Sequence, residues 1–291
     1  MRVTFYGSMS KKFDKQIAEC LQRGIQRCGD LCELVGTEDF KKLPKGVDCA
    51  VVVGVKANSG PIFHRYRKAG RHAVFIDKGY TRIRGGPLGT LYWRISGNAF
   101  QPLHYFQKTP RPSDRWRWSE TDIRDRRVPG GQEVLFAGSS QKFCDFHKLG
   151  NATEYATAVL REARKHTDRP LAYRPKPSWG DAVPIEGVRY SHPKEKFVGA
   201  LDLAHVVVTY GSNACLEAML FGVPAVVLGD GITRPLCSTS LADLDKPRFP
   251  TRDQLYQLAC DLAYCQWTLS EFASGDAWKV LRPCLDIEVP A

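Results

Sequence analysis

The chain has 291 residues, 43% of them hydrophobic, and a net charge of +11 from 42 Lys+Arg against 31 Asp+Glu. That length suits one large domain or two ordinary ones, and that apolar content excludes global disorder. No apolar run approaches the roughly 20 residues of a membrane span, while the basic balance points to polyanionic company: nucleic acid, phosphorylated ligands or an acidic membrane surface.

The opening MRVTFYGSMSKK enters a strand-like run without an apolar leader core, so no signal peptide is expected. VTFYG (3–7) predicts a strand ending at Gly7 and Ser8, and DKQIAECLQRGIQRCG (14–29) has helical apolar spacing closed by Gly29. CAVVVGV (49–55) and AVFIDKG (73–79) predict buried strands around a short helix, GPIFHRYRKAG (60–70). Continuous apolar strands alternating with amphipathic helices predict a parallel sheet. Residues 107–132, rich in Pro, Arg and Gly, predict an interdomain connection.

The pattern then restarts. EVLFAGSS (133–140) predicts a strand, and NATEYATAVLREARKH (151–166) a helix with Asn151 as N-cap. PLAYRPKPSW (170–179) predicts a strand running into a Pro-punctuated loop. HVVVTYG (205–211), a helix over 213–222 and PAVVLG (224–229) predict a βαβ unit. Helical patterns fill 251–273, and 275–285 predicts a last helix. The expected class is α/β, with two Rossmann-like domains facing across a cleft: residues 1–130, residues 131–273, and a C-terminal helix in 274–291 that packs back on the first domain. Ligands of such sheets bind beyond the carboxyl ends of the strands.

The ten cysteines lie mostly in apolar stretches and form neither a CxxC pair nor a paired zinc spacing, which predicts reduced core thiols in a cytoplasmic protein. No acidic metal dyad stands at a strand end, so no metal site is expected and a divalent ion would at most stimulate.

The second half concentrates anion-friendly residues. Gly211 permits a sharp turn, Ser212 or Asn213 then caps the helix, and the first-turn N–H groups offer an anion site. Glu217 lies one turn in. A capping box would need Ser or Thr at 214, which is Ala, so its carboxylate is free to accept from a ribose diol, the alternative being a solvated helix glutamate. GSSQK (138–142) offers backbone N–H groups and hydroxyls at Gly138, Ser139 and Ser140, plus Lys142. YRPKP (173–177) sets Arg174 and Lys176 on one side of an extended segment, where a cation could stabilise a departing diphosphate. Each element alone is also compatible with an ordinary loop. Tyr190, with His192 and Phe197, is a nucleobase candidate by position.

Residues Gly211, Ser212, Asn213, Glu217, Gly222 and Pro224 resemble the donor-binding segment of GT-B fold glycosyltransferases, and YRPKP resembles the basic Pro-containing element of capsule and teichoic-acid type transferases of that fold. The resemblance implies a nucleotide-sugar donor, UDP-glucose by default, and no tightly bound cofactor. Asp77, closing an apolar strand before Lys78, resembles the base-bearing strand end of the phage DNA β-glucosyltransferase. It would deprotonate an acceptor hydroxyl for inverting displacement, a turn or N-cap Asp being the alternative. His64, His72 and His104 are competing bases, and His147 could touch phosphate.

The acceptor is inferred from cations and aromatics. Residues 91–106 hold Trp93, Arg94 and Asn98, and 108–127 interleave Arg115, Trp116, Arg117 and Trp118. Cations suit a phosphate backbone and aromatic faces suit unpaired or extruded bases, although a solvated linker face is the bland alternative for 108–127. With Gly7, Ser8, Lys78 and Arg82 they make up the acceptor set. The layout is similar to phage glycosyltransferases that decorate hydroxymethylated pyrimidines such as hydroxymethylcytosine in DNA. It implies a cytoplasmic, phage-encoded monomer acting on double-stranded DNA without a membrane partner. The alternatives are a cell-envelope transferase building capsule or lipopolysaccharide, a non-catalytic nucleic-acid binder, and a nucleotide-sugar epimerase.

Overall fold

A computed structural model describes residues 1–56, 58–80, 91–103, 110–116, 122–128 and 130–289. Arg82, His104, Arg117 and Trp118, named above, lie outside the described residues. The chain divides into two compact units, Met1–Glu120 with Ala259–Ala291, and Thr121–Leu258.

In the first unit β1 (Arg2–Gly7), β2 (Leu31–Gly36), β3 (Cys49–Val53) and β4 (His72–Lys78) run parallel. β5 (Trp93–Gly97) and β11 (Gln266–Trp267) extend the sheet antiparallel, in the order β11-β5-β4-β3-β1-β2. The wholly apolar β3 is fully buried, as a central parallel strand must be. α1 (Lys12–Arg27) and α2 (Ser59–Lys68) are its first two helices. α1 packs on a later helix, Leu269–Ser274, and Gly24 permits this, since a Cβ there would meet the carbonyl oxygen of Phe272 at 1.9 Å.

The first sheet departs from the expected all-parallel form. β5 enters antiparallel, carrying Trp93 and Arg94 inward, and its five residues are all buried. The stretch 251–273 is not continuous helix, because β11 interrupts it to pair Trp267 with Trp93. Two-residue strands carry no period for a sequence to display.

In the second unit β6 (Glu133–Ala137), β7 (Leu171–Arg174), β8 (Arg189–Tyr190), β9 (Ala204–Thr209) and β10 (Ala225–Val227) form an all-parallel sheet, ordered β10-β9-β6-β7-β8. Its helices are α3 (Gln141–His147), α4 (Ala152–Ala163), α5 (Phe197–Leu203) and α6 (Ala214–Leu220). The chain returns to the first unit within α7 (Arg252–Ala263), which precedes α8 (Leu269–Ser274) and α9 (Asp276–Leu281). One core cluster joins Val134, Phe136, Leu160, Tyr173 and Val206, and another joins Leu135, Leu201, Val207 and Val223. Asn151 caps α4 as expected, its Oδ1 accepting the N–H groups of Thr153 and Glu154 at 2.9 and 3.2 Å. Gly222 closes α6 at φ 85°, where its N–H reaches Met219 O at 3.0 Å.

All ten cysteines are free thiols, eight of them buried. Burial pushes the Cys32 and Cys215 thiols up to about 12, so neither is reactive at neutral pH. Among the described residues no helix is long and apolar enough to cross a membrane, and no cluster of His, Cys, Asp and Glu could hold a metal ion.

Candidate functional site

In the second unit, three of the predicted donor segments leave neighbouring strands at the same end. Residues 138–142 follow β6, 174–176 end β7, and 211–217 follow β9, with β6 between the other two. Adjacent strands lie about 4.8 Å apart, so parallel pairing alone groups these segments.

Their chemistry differs in detail from the expectation. Gly138 donates its N–H to the Arg174 carbonyl at 2.9 Å, and a Cβ there would meet the Tyr173 ring at 2.8 Å. Its backbone is therefore engaged in holding β6 to β7. Gly211 is required for packing: a Cβ would lie 2.3 Å from the carbonyl oxygen of Asp230. Of the two cap candidates, Ser212 is the one whose side chain acts, its Oγ accepting the Ala214 N–H at 3.3 Å, whereas Asn213 makes no side-chain cap bond. The N–H groups of Ala214, Cys215 and Glu217 already have partners in Ser212 Oγ, Ser212 O and Asn213 O, which leaves the start of α6 fewer free donors than expected. Ser139 and Ser140 are nearly buried, while Lys142 and Lys176 are exposed. Glu217 is exposed although Leu216 and Ala218 beside it are buried, so its carboxylate stands at the surface of this edge.

Arg174 also differs from the expectation of a cation presented to a diphosphate. It is 6% exposed, and its guanidinium donates to Ser191 Oγ at 3.0 Å, to His192 O at 2.9 Å, and to the carbonyls of Pro193 and Glu195. Burial holds its pKa below the ordinary arginine value, and neighbouring Glu195 opposes that shift. The side chain anchors the loop after Tyr190, and its planar fork explains why arginine stands there. Tyr190 is half-buried and edge-on to Tyr173, with ring centroids 6.2 Å apart.

The strand end also gathers Phe143 and Tyr210, which the sequence does not single out, around His147, the phosphate candidate named above. Tyr210 lies 5.1 Å from the His147 ring and 6.0 Å from Phe143, and half-buried His147 sits within this aromatic group. Burial raises the Tyr210 hydroxyl pKa, Asp230 adds to the rise, and Arg234 opposes it. Its position directly after β9 was the available signal.

In the first unit, Asp77 ends β4, 37% exposed at its side chain. Its Oδ1 accepts the Lys78 N–H at 2.8 Å, and Oδ2 lies 3.7 Å from the Arg94 guanidinium, its register partner on β5. Lys78 is exposed. At the neighbouring ends of β1 and β3, Ser8 donates its N–H to Asp14 Oδ2 at 3.1 Å, and Lys56 pairs with that same carboxylate. Asp14 is 5% exposed and was not anticipated, because position 14 reads as the first turn of an ordinary surface helix. Of the competing bases, His64 is exposed on α2, and His72 contacts Asn98 and Asp286.

The acceptor set is where the interior departs most from the sequence reading. Trp93, Arg94, Asn98 and Trp116 are all buried, as residues of a core-facing strand and its surroundings. Arg94 bonds Gln101 Oε1 at 2.7 Å and lies 4.5 Å over the Phe100 ring. Asn98 adopts φ 63°, accepts the Ala73 N–H at 3.1 Å and donates to Leu285 O at 2.6 Å. Arg115 donates to Ala263 O, Gln266 O and Glu271 Oε1 and sits 3.9 Å over Trp267. None of these residues offers its polar or aromatic face to a nucleic acid. Arg115→Gln is accordingly expected to lower stability by about 2 kcal/mol in urea unfolding and to leave any salt dependence of polyanion binding unchanged.

This arrangement is that of an α/β protein of the GT-B-like class, with two Rossmann-like units. The chain is similar to the solved KpsC beta Kdo 2,4 transferase of Thermosulfurimonas dismutans, with TM-score 0.51 and 12% identity over 91% of this chain and 90% of that one. The KpsC beta Kdo 2,7 transferase of the same organism gives 0.49 and 12% over 95% and 99%, and UDP-bound MnaA of S. aureus gives 0.34 and 12% over 100% and 98%. The first likeness bears on the fold; the other two carry no weight. No family model matches the chain, and no curated protein matches its sequence.

Proposed function

We propose that the protein is a glycosyltransferase that moves a sugar from a nucleotide-sugar to a hydroxyl of a cell-envelope glycan. The observation that supports this most is the convergence of residues 138–142, 174–176 and 211–217 at one end of β6, β7 and β9. In this reading the second unit holds the donor and the first supplies the acceptor site and the base. Glu217 accepts from the ribose hydroxyls. Ser139 and Ser140 with Lys142 and Lys176 hold the diphosphate or monophosphate, and Tyr190 lies toward the base. Gly7, Ser8, Lys78 and Asp77 belong to the acceptor side. Asp77 takes the proton from the attacking hydroxyl, whose oxygen bonds the anomeric carbon as the sugar–phosphate bond breaks and the leaving nucleotide carries away the electron pair. Inversion at that carbon follows from a single displacement. The solved KpsC beta Kdo 2,4 transferase shares the fold, and likeness at that identity speaks to fold alone.

The second reading is transfer, from UDP-glucose by default, to a hydroxymethylated pyrimidine in DNA. The net charge of +11 favours it, and the interior placement of Trp93, Arg94, Asn98, Arg115 and Trp116 counts against it. The deciding experiment incubates the protein with labelled uridine- and cytidine-activated sugars and two acceptors, a lipid-linked glycan and hydroxymethylcytosine DNA. Label in the glycan supports the first reading and label in DNA the second. Loss of both readings follows if no donor is bound or consumed. Glu217→Ala is expected to weaken donor binding about tenfold while leaving the melting temperature in place, because the side chain is exposed. Equilibrium titration with labelled donor checks it.

A further inference from the structure

Beneath the second unit's sheet, at the amino ends of β9 and β10, lies a cavity of about 230 Å3 lined by Arg126, Arg127, Val128, His205, Val223 and Pro224 among others. We propose that it binds the phosphate group of a small phosphorylated ligand, separately from the donor. The six residues of β9 span about 17 Å, so it lies at the opposite end of that strand from Ser212. Its volume lies near the lower end of the roughly 300–1,000 Å3 of pockets for drug-sized ligands, which suits a phosphate on a small body better than a whole nucleotide-sugar.

The wall is cationic and incompletely neutralised. Arg127 is held in place by Leu201 O at 3.0 Å and Asp202 Oδ1 at 3.3 Å. Exposed Arg126 has no hydrogen bond or ion pair among the described residues. The His205 Nε2 atom is buried without a partner among the described residues. Arg169 also faces His205 and is itself paired with Asp245 at 3.2 Å. Burial lowers the His205 pKa, and Arg169 and Arg126 lower it further, while Asp245 opposes them through its backbone and its charge. A dianion beside these cations would satisfy Arg126 and favour the protonated imidazole. Val128, Val223 and Pro224 form an apolar wall for the ligand's body.

The test titrates the full chain with inorganic phosphate and with glycerol 3-phosphate, by calorimetry and by the imidazole C–H resonances. The His205 signal is identified as the one missing from His205→Gln. The expected result is one site, a shift of the His205 resonance, at least about tenfold weaker binding in Arg126→Gln, and no displacement by a nucleoside diphosphate. Sulfate, a dianion throughout the range, should bind more tightly as the pH falls from about 8 to 5, because it favours protonated His205. Equal affinity in Arg126→Gln, an unmoved His205 resonance, displacement by the nucleoside diphosphate, or no binding by the unmodified protein would each overturn the proposal. Arg126 is exposed, so its variant folds even if His205→Gln does not.

Discussion

Asp77→Asn is expected to reduce turnover by about a hundredfold to ten-thousandfold, the contribution of a positioned general base, with donor affinity unchanged. The amide keeps the shape of the carboxylate but cannot take a proton. Folding should be little disturbed. The Arg94 guanidinium 3.7 Å away retains Gln101 and the Phe100 carbonyl as partners, and the Asp77 side chain is 37% exposed. The loss of that ion pair is expected to cost at most about 1 kcal/mol. Single-turnover transfer, donor titration and thermal melting on the same preparation separate the two roles. A fall in turnover with an unmoved melting temperature and donor affinity marks a base. Undiminished turnover removes Asp77 from the chemistry and leaves buried Asp14 in the first turn of α1, with its partners Ser8 and Lys56, as the next carboxylate to test.

Arg174→Ala is expected to destabilise the second unit by about 3–5 kcal/mol, because Ser191 Oγ and the carbonyls of His192, Pro193 and Glu195 lose a shared charged donor. Arg174→Lys should recover only part, since one ammonium cannot reproduce a planar fork. Urea unfolding measures the loss. Donor affinity should fall in parallel, as the loop carrying His192 and following Tyr190 loosens. A cation acting on the leaving phosphate would behave otherwise: turnover would drop, lysine would substitute well, and the unfolding midpoint would stay in place. That second pattern would restore Arg174 to the chemistry.

The strands with long apolar runs are legible in the sequence. VTFYG, CAVVVGV, AVFIDKG, EVLFAGSS and HVVVTYG all became strands, with boundaries shifted by a few residues. Four or more consecutive buried residues in an apolar run leave a mark that neither a loop nor an amphipathic helix leaves. β2, β5, β8 and β11 went unread: β2 is a half-exposed edge strand, β5 carries Arg94 and Ser96 among its buried residues, and β8 and β11 are two residues long. The donor segments were legible as chemistry, since Gly-Ser and Arg-Pro-Lys stand where strands end. Which of their atoms are already engaged was not legible. Arg174 and Lys176 are two positions apart in one motif, yet one is buried under four acceptors and the other faces solvent.

The stretch from Trp93 to Trp116 states the limit most clearly. Its aromatic and basic composition is compatible with a binding face or with an interior held by cation–aromatic contacts, and the two differ only in what lies opposite. Arg115 finds Trp267 and Glu271 some 150 residues later in the chain. Local apolar periodicity and turn residues were enough to determine two α/β units and the strand ends where chemistry could sit, because helix and strand periods are properties of neighbours along the chain. Whether each cation faces ligand or carbonyl was decided by tertiary pairing, because a side chain's electrostatic partner is set by distance in space.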